Sequence, residues 1–562
     1  MSKQLIECVP NISEGRDDAK IKAISSVVET VERVKLLDVD PGRATNRTVI
    51  TFVGEPQQVI DAAFLLIKKA SELIDMSKHS GEHPRFGATD VCPLVPIANI
   101  SMEETAEWAH KLGRKVGEEI GLPIYFYENA AREEKRRNLA MVRSGQYEGL
   151  QKKLQDPSWN PDEGKADWNI ASKTGATAIS ARDFLVAYNI NLNTTSTRRA
   201  NAIAFDIREA GRVKREGDPL TGKVVEDNSG EPVRIPGKLK AVKGIGWYIE
   251  EYGVAQISYN LTNISITPLH IAFDETCKSA ESRGLRVTGS ELVGLVPKKV
   301  LIDAADFFLK KQERSLGIPE MEKMKIAIKS LGLDELKAFD PREKVIEYLI
   351  EDKTDGLVDL SLTDFANMTA SEAPAPGGGS VAAYLGSLSA ALGTMVANLS
   401  SHKRGWDDRW EEFSDVAVRG EELKNKLLDL VDRDTQAFNL IMEAFGLPKN
   451  TDEEKKKRSD AIQEATKVAI LTPLETMQVS LDAMKLCKEM VEKGNPNSIT
   501  DAAVGALCAR SAVIGAELNV KINLGGLKDE VFKKEMITES AQIRKEAESL
   551  ENEILAYTES KI

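Results

Sequence analysis

Two of the five histidines in this 562-residue chain stand four apart, in "HSGEHPRFG", with a glutamate beside the second: His79, Glu82 and His83. The spacing H-x-x-E-H is one that zinc peptidases use, and it needs a helix to bring both imidazoles to one face. Gly81 lies between the histidines and Pro84 follows at once, and neither favours a helix through the motif. No distant third ligand stands out. A loop histidine tuned by Glu82, Arg85 or Asp90 suits general acid–base work near neutral pH. The bland alternative is a structural histidine in a turn.

A second candidate is a carboxylate. In "KLLDLVDRDTQAFNLIMEAF", the series Leu427, Val431, Asp434, Phe438, Ile441 and Phe445 steps by 4, 3, 4, 3 and 4. That is one face of a helix, and Asp434 interrupts an apolar seam. An unpaired charge there is costly, so the carboxyl is either poised by desolvation or committed to a buried arginine or a helix cap. Both readings stay open from position alone. Asp432 is two residues away and points elsewhere.

The third stretch is "APAPGGGSVAAYLGSLSAALGTMVA". Gly377, Gly378 and Gly379 precede Ser380, which reads as the N-cap of a helix whose free N–H groups would suit an anion. No G-K-[ST] follows and no strand precedes, so neither a phosphate loop nor a dinucleotide fingerprint fits. Close helix packing through Gly386, Ser387, Ala390 and Ala397 is the plainer use of so many small residues.

These residues need elements to hold them. Up to about residue 180 the chain alternates strand-like and helix-like stretches: "QLIECVP", "AKIKAISSVVETVER", "KLLDVD", "RTVITFVG", "EPQQVIDAAFLLIKKASELID". After a Pro- and Gly-rich loop the alternation restarts at "DFLVAYNINL" and runs through "KAVKGIGWYIEEY" and "VAQISYNLTNISIT". The polar stretch at about 215–237 reads as a surface hairpin or insertion. From about 356 strand signals vanish, and long helical stretches run at 380–402, 406–445, 456–493, 498–519 and 527–559, with Pro473 expected to kink or break the third. The expected division is 1–180 and 181–325 as two α/β subdomains, 326–355 as a linker, and 356–562 as an all-α domain.

Composition limits the function classes. At 42% hydrophobic and 29% charged the chain is ordinary globular protein. A net charge of −13 repels a nucleic-acid backbone, so no nucleic acid is expected as partner. Small anions could still bind locally, and Lys240 with Lys243, or Arg198 with Arg199, could line such a cleft or be a solvated face. Five scattered cysteines without C-x-x-C argue against a disulfide framework and point to a reducing cytoplasm. The acidic start, with Glu7 and Glu14, reads as no secretory signal, and Arg510 and Glu517 interrupt the most apolar stretch, so no membrane span is expected.

Taken together, the motifs resemble one family. "IECVPNISEG", "TNRTVITFVG", "GEHPRFGATDVCP", "VKGIGWYIEE" and "GSELVGLVP" resemble glutamate formimidoyltransferases. "APAPGGGSVAA", "LVDRDTQAF", "LPKNTDEEK" and "VKINLGGLKD" resemble formimidoyltetrahydrofolate cyclodeaminases, in the order of the fused bifunctional enzymes. The resemblance implies two α/β subdomains of ferredoxin-like βαββαβ form with folate between them, then a helical domain that dimerises, within a homo-octamer. It implies that a formimino group passes from N-formimino-L-glutamate to N5 of tetrahydrofolate, and that N10 then closes on that carbon with loss of ammonia. By that resemblance His83 is the transferase acid–base and Asp434 the cyclodeaminase acid. The folate-contacting loop matches Gly164 to Gly175, and the 215–237 stretch is an insertion relative to mammalian forms. Tetrahydrofolate enters as co-substrate, the length of its polyglutamate tail left open, with no metal, redox cofactor or pyridoxal phosphate expected. A scaffold that kept the fold and lost the chemistry is the alternative of a different class, and a zinc hydrolase is a third.

Overall fold

A computed structural model describes residues 4–42, 46–80, 85–217, 222–227, 230–350 and 356–562. The chain divides into two compact units, 1–301 with 331–351, and 302–330 with 352–562. The segment 326–355, expected as a connector, is therefore shared between them.

The first unit begins with seven strands: β1 (Leu5–Cys8), β2 (Asn11–Ile12), β3 (Val34–Gly42), β4 (Arg47–Gly54), β5 (Thr89–Ala98), β6 (Ile124–Glu128) and β7 (Thr177–Ala181). β4 pairs antiparallel with β3 on one side and with β1 and β2 on the other, and β1 and β2 pair antiparallel with β5. β7 then lies parallel between β5 and β6. Strand side chains alternate between faces. Ile6, Cys8, Ile50, Phe52, Cys92, Leu94, Phe126 and Ile179 pack one face against the helices Pro56–Leu73 and Met102–Glu119. Arg47, Glu7, Tyr127 and Ser180 alternate with them and so belong to the opposite face.

A second sheet follows in the same unit, with β8 (Val186–Leu192), β11 (Val242–Ile249), β12 (Val254–Leu261) and β13 (Val287–Val293), separated by the short pair β9 (Arg212–Val213) and β10 (Arg234–Ile235). The order is β11-β12-β8-β13, all antiparallel. With the helices Thr197–Ile207 and Leu269–Glu281 this is a β-α-β-β-α-β progression. Val186, Tyr188, Ile190 and Leu192 face its core. β9 precedes the polar 215–237 stretch and β10 lies near its end, and their antiparallel pairing is what a hairpin requires.

The second unit carries the long helices Gly378–Ser401, Trp410–Gly446, Asp452–Lys493, Ile499–Leu524 and Glu530–Glu559. Two spans, Gly378–Ser401 and Pro496–Leu524, are long and apolar enough to cross a membrane by composition. Here those helices pack on each other within the unit's core. Glu517, which interrupts the second, is buried but held by Lys521 at 2.6 Å and Arg544 at 2.8 Å. Of the kink or break expected at Pro473, the break does not occur: Asp452–Lys493 is one element. A proline removes the N–H that would bond the carbonyl four residues earlier. That carbonyl, on Ala469, instead accepts the side-chain amide of Asn523 at 2.8 Å.

Candidate active sites

His83 and Glu82 lie outside the described residues, but the chain on either side of them is fixed. Asn46 is buried with φ +49, and its amide receives the N–H of Gly15 at 2.9 Å and donates to the carbonyl of Ser80 at 2.9 Å. His79 Nε2 sits 2.9 Å from the carbonyl of Asn46. A carbonyl only accepts, so Nε2 carries the proton. Burial pulls the His79 imidazole below its ordinary pKa; the Asn46 bond opposes this and Arg85 adds to it. His79 thus anchors the loop as a neutral ring.

The far side is pinned by Tyr147. Its N–H donates to the carbonyl of Arg85 at 2.9 Å, and its hydroxyl donates to the carbonyl of Ser172. Ser172 belongs to the segment between Gly164 and Gly175, so one tyrosine ties the histidine loop to the expected folate loop. Backbone pairing does the same: Ala88 N–H reaches Thr174 at 2.7 Å, Ala176 N–H reaches Phe86 at 3.1 Å, and Gly87 bridges Gly175. Gly164 and Gly175 have φ of +82 and +67, which favours glycine, and a Cβ on either would strike backbone. Between them Asp167 caps a short helix, Trp168–Thr174.

Among the described residues, Asp90 meets arginines rather than a histidine. Its carboxylate, buried in β5, receives both Arg47 and Arg143 on the same oxygen. Lys240, Lys243, Arg198 and Arg199 are exposed to solvent. Sequence reasoning missed Arg47, Arg143 and Tyr147 because their partners are distant in sequence and no local pattern marks them.

In the helical unit the structure brings the two sequence candidates together. Ser380 is not the N-cap. Gly377 is, and Ser380 stands inside the first turn, fully buried. Its hydroxyl donates to Asp434 Oδ2 at 3.1 Å, and its N–H also reaches that carboxyl. A Cβ on Gly379 would run into the Asp434 carboxylate, so glycine is what lets the helix end approach it. The anion at this helix N-terminus is the protein's own. Burial still pushes the Asp434 carboxyl above the ordinary carboxylate range, with the two Ser380 bonds pulling back. The seam around it is only half as expected. Leu427 and Val431 are buried, but Phe438 and Phe445 are 40% and 50% exposed, so Asp434 stands where the face leaves the core. Asp432, whose carboxyl burial also pushes above its ordinary range, meets a different part of the chain. Its Oδ1 accepts the N–H of Leu357 at 2.7 Å and caps the turn Leu357–Asp359.

A loop anchored at Ser80 and Arg85 and tied to a glycine-bounded loop in an α/β unit, and a desolvated carboxyl at a helix end in an all-α unit, are the two candidate sites. Comparison with known proteins gives the chain's family. Residues 5–182 match the formiminotransferase domain, N-terminal subdomain, 187–351 the formiminotransferase domain, and 361–542 formiminotransferase-cyclodeaminase. A formimidoyltransferase-cyclodeaminase of Gallus gallus is 44% identical over 563 residues, 99% of each chain. A glutamate formimidoyltransferase of Thermoplasma acidophilum is 41% identical over 307 residues, covering 54% of this chain and 92% of its own. A methenyltetrahydrofolate cyclohydrolase of Methylorubrum extorquens is 39% identical over 202 residues, covering 36% of this chain and 97% of its own. The chain belongs to the formimidoyltransferase-cyclodeaminase family.

Proposed function

We propose that this chain is a bifunctional folate enzyme of histidine degradation. It transfers the formimino group of N-formimino-L-glutamate to tetrahydrofolate, releasing glutamate and 5-formimidoyltetrahydrofolate. It then cyclises that product to 5,10-methenyltetrahydrofolate with release of ammonia. The observation that carries the reading is identity at 44% along the whole length of a relative named for both activities. The glycine-bounded loop tied to the flanks of His83, and the Asp434–Ser380 contact, agree with it.

In the transferase reading, His83 takes the N5 proton as N5 adds to the formimino carbon. It returns that proton to the departing glutamate nitrogen as the tetrahedral carbon collapses. The loop from Gly164 to Gly175 contacts the folate. In the cyclodeaminase reading, N10 adds to the same carbon as its proton passes to the imino nitrogen, and an aminal forms. Asp434, kept protonated into a higher pH range by burial, protonates the amino group so that ammonia leaves. The Gly377–Ser380 turn orients that carboxyl, and its remaining N–H groups would hold an anionic part of the substrate.

The division of labour runs along the chain, with 1–325 for transfer, 326–355 as connector and 356–562 for cyclisation, although 302–330 falls in the second compact unit and 331–351 in the first. The order β11-β12-β8-β13 supports a ferredoxin-like reading of the second sheet. A homo-oligomer, an octamer by family resemblance, is supported by exposed apolar side chains such as Phe438, Phe445 and Leu399. Five free cysteines support a cytoplasmic setting. The test is a coupled assay with N-formimino-L-glutamate and tetrahydrofolate that follows glutamate, ammonia and methenyl absorbance. A purified chain that forms none of them is the inactive scaffold instead.

A further inference from the structure

Two guanidiniums converge on Asp90. Arg47 comes from β4, and Arg143 from the end of the short helix Leu139–Val142. Both bond the same carboxylate oxygen, Oδ2, while Oδ1 is buried with no donor among the described residues. Arg47 is also fixed from the side, its Nε donating to Asn11 Oδ1 at 3.0 Å. Arg143 is less committed. Its Nε is buried and has no acceptor among the described residues, although its side chain is still 15% exposed. A buried guanidinium donor without an acceptor is costly.

The position of this cluster says what should arrive. Asn46, the chain neighbour of Arg47, holds the carbonyl of Ser80 at one end of segment 81–84. Tyr147, four residues beyond Arg143, holds the carbonyl of Arg85 at the other end. Residues close in sequence to the two arginines therefore hold both anchors of the loop that carries His83. Their side of the sheet is the one away from the covering helices, and Tyr127 of that face lies within the field of both. A planar fork beside a loop bearing an acid–base residue suits a carboxylate, which it can grip with two parallel N–H bonds.

We infer that Arg143, braced by Asp90 and Arg47, binds a carboxylate of the amino-acid donor and so sets the formimino carbon against the loop of His83. This rests on the transferase reading above. It assigns donor recognition to a cluster separate from the loop from Gly164 to Gly175, which serves the folate.

The test measures transfer by the full chain with three donors: N-formimino-L-glutamate, N-formimino-4-aminobutyrate, which lacks the α-carboxylate, and N-formimino-2-aminobutyrate, which lacks the distal one. For the wild type, removing the gripped carboxylate should raise KM about ten- to hundredfold. Arg143→Gln should raise KM for N-formimino-L-glutamate by a similar factor. It should leave KM for tetrahydrofolate near its wild-type value and abolish the preference over one of the two analogues. Arg143→Lys, measured by titration with L-glutamate, should bind the product at least about tenfold more weakly at an unchanged melting temperature, because an ammonium lacks the fork. It serves also if Arg143→Gln does not fold. Unchanged donor preference, or unchanged glutamate affinity in Arg143→Lys, overturns the assignment. A wild type without transfer to any donor overturns the transferase reading itself, a distinguishable result.

Discussion

Ser380 and Asp434 are 54 residues apart in sequence, yet the serine hydroxyl donates to Asp434 Oδ2 at 3.1 Å. The contact joins the first turn of one long helix to the middle of the next. It gives a half-buried carboxyl one neutral partner and, among the described residues, no cation, which keeps the carboxyl titratable.

Asp434→Asn should separate chemistry from stability. Asparagine can accept the Ser380 N–H and donate to its hydroxyl oxygen, so packing is kept. It cannot deliver a proton, and cyclisation should fall by about 10²–10⁴-fold. Because the folded-state pKa is raised, protonation stabilises the fold. Below the ordinary carboxylate pKa that contribution is fully present, and it is lost as pH rises through the raised value. Near neutral pH the variant should therefore melt at the same temperature or higher, with a flatter dependence on acid pH. An early-melting variant that still cyclises would show Asp434 to be structural.

Asp432→Ala should give the reverse pattern. It removes the acceptor that caps Leu357 at 2.7 Å, a loss of about 1 kcal/mol. Cyclisation should survive. Collapse of cyclisation at full stability would move the acid to Asp432.

His83→Ala should lower transfer by about 10²–10⁴-fold while supplied 5-formimidoyltetrahydrofolate is still cyclised. His79→Ala should be milder, because His79 holds the Asn46 carbonyl rather than the reacting atoms. Its folded pKa is depressed, so its stabilising contribution is present above about 6.5 and is lost as pH falls through the lower folded value. Melting curves of wild type and His79→Ala should converge on acidification. Equal and complete loss of transfer in both variants, together with loss of bound zinc, would revive the metal alternative.

Asn523→Ala should cost about 1–3 kcal/mol, since it leaves the Ala469 carbonyl buried without a donor. In a Pro473→Ala background the N–H restored at position 473 can take that carbonyl, and the same change should cost little. Equal costs in both backgrounds would refute this account of how the helix tolerates its proline.

The α/β and all-α halves were legible because their hydrophobic periods differ, and RTVITFVG coincides with β4 residue for residue. Asp434 stood out for the same reason, as a charge on a helical apolar face. β7 was not legible: TAISA is short and made of small residues, and only its place between two parallel strands makes it a strand. Ser380 looked like a cap because serine after glycines usually is one. The identity of the cap depended on Asp434, which approaches from another helix. Arg47 and Arg143 meet Asp90 across 43 and 53 residues, a distance at which no local pattern reports.

Two successive reactions at two separate sites of one chain should be separable by mutation. Mixing two crippled enzymes tests this most directly. His83→Ala and Asp434→Asn are each supplied with N-formimino-L-glutamate and tetrahydrofolate, alone and together, and glutamate, ammonia and methenyl absorbance are followed. His83→Ala alone should release nothing, and Asp434→Asn alone should release glutamate and accumulate 5-formimidoyltetrahydrofolate. The mixture should yield ammonia and 5,10-methenyltetrahydrofolate. Methenyl product from Asp434→Asn alone, or glutamate from His83→Ala alone, would contradict the assignment of the two sites.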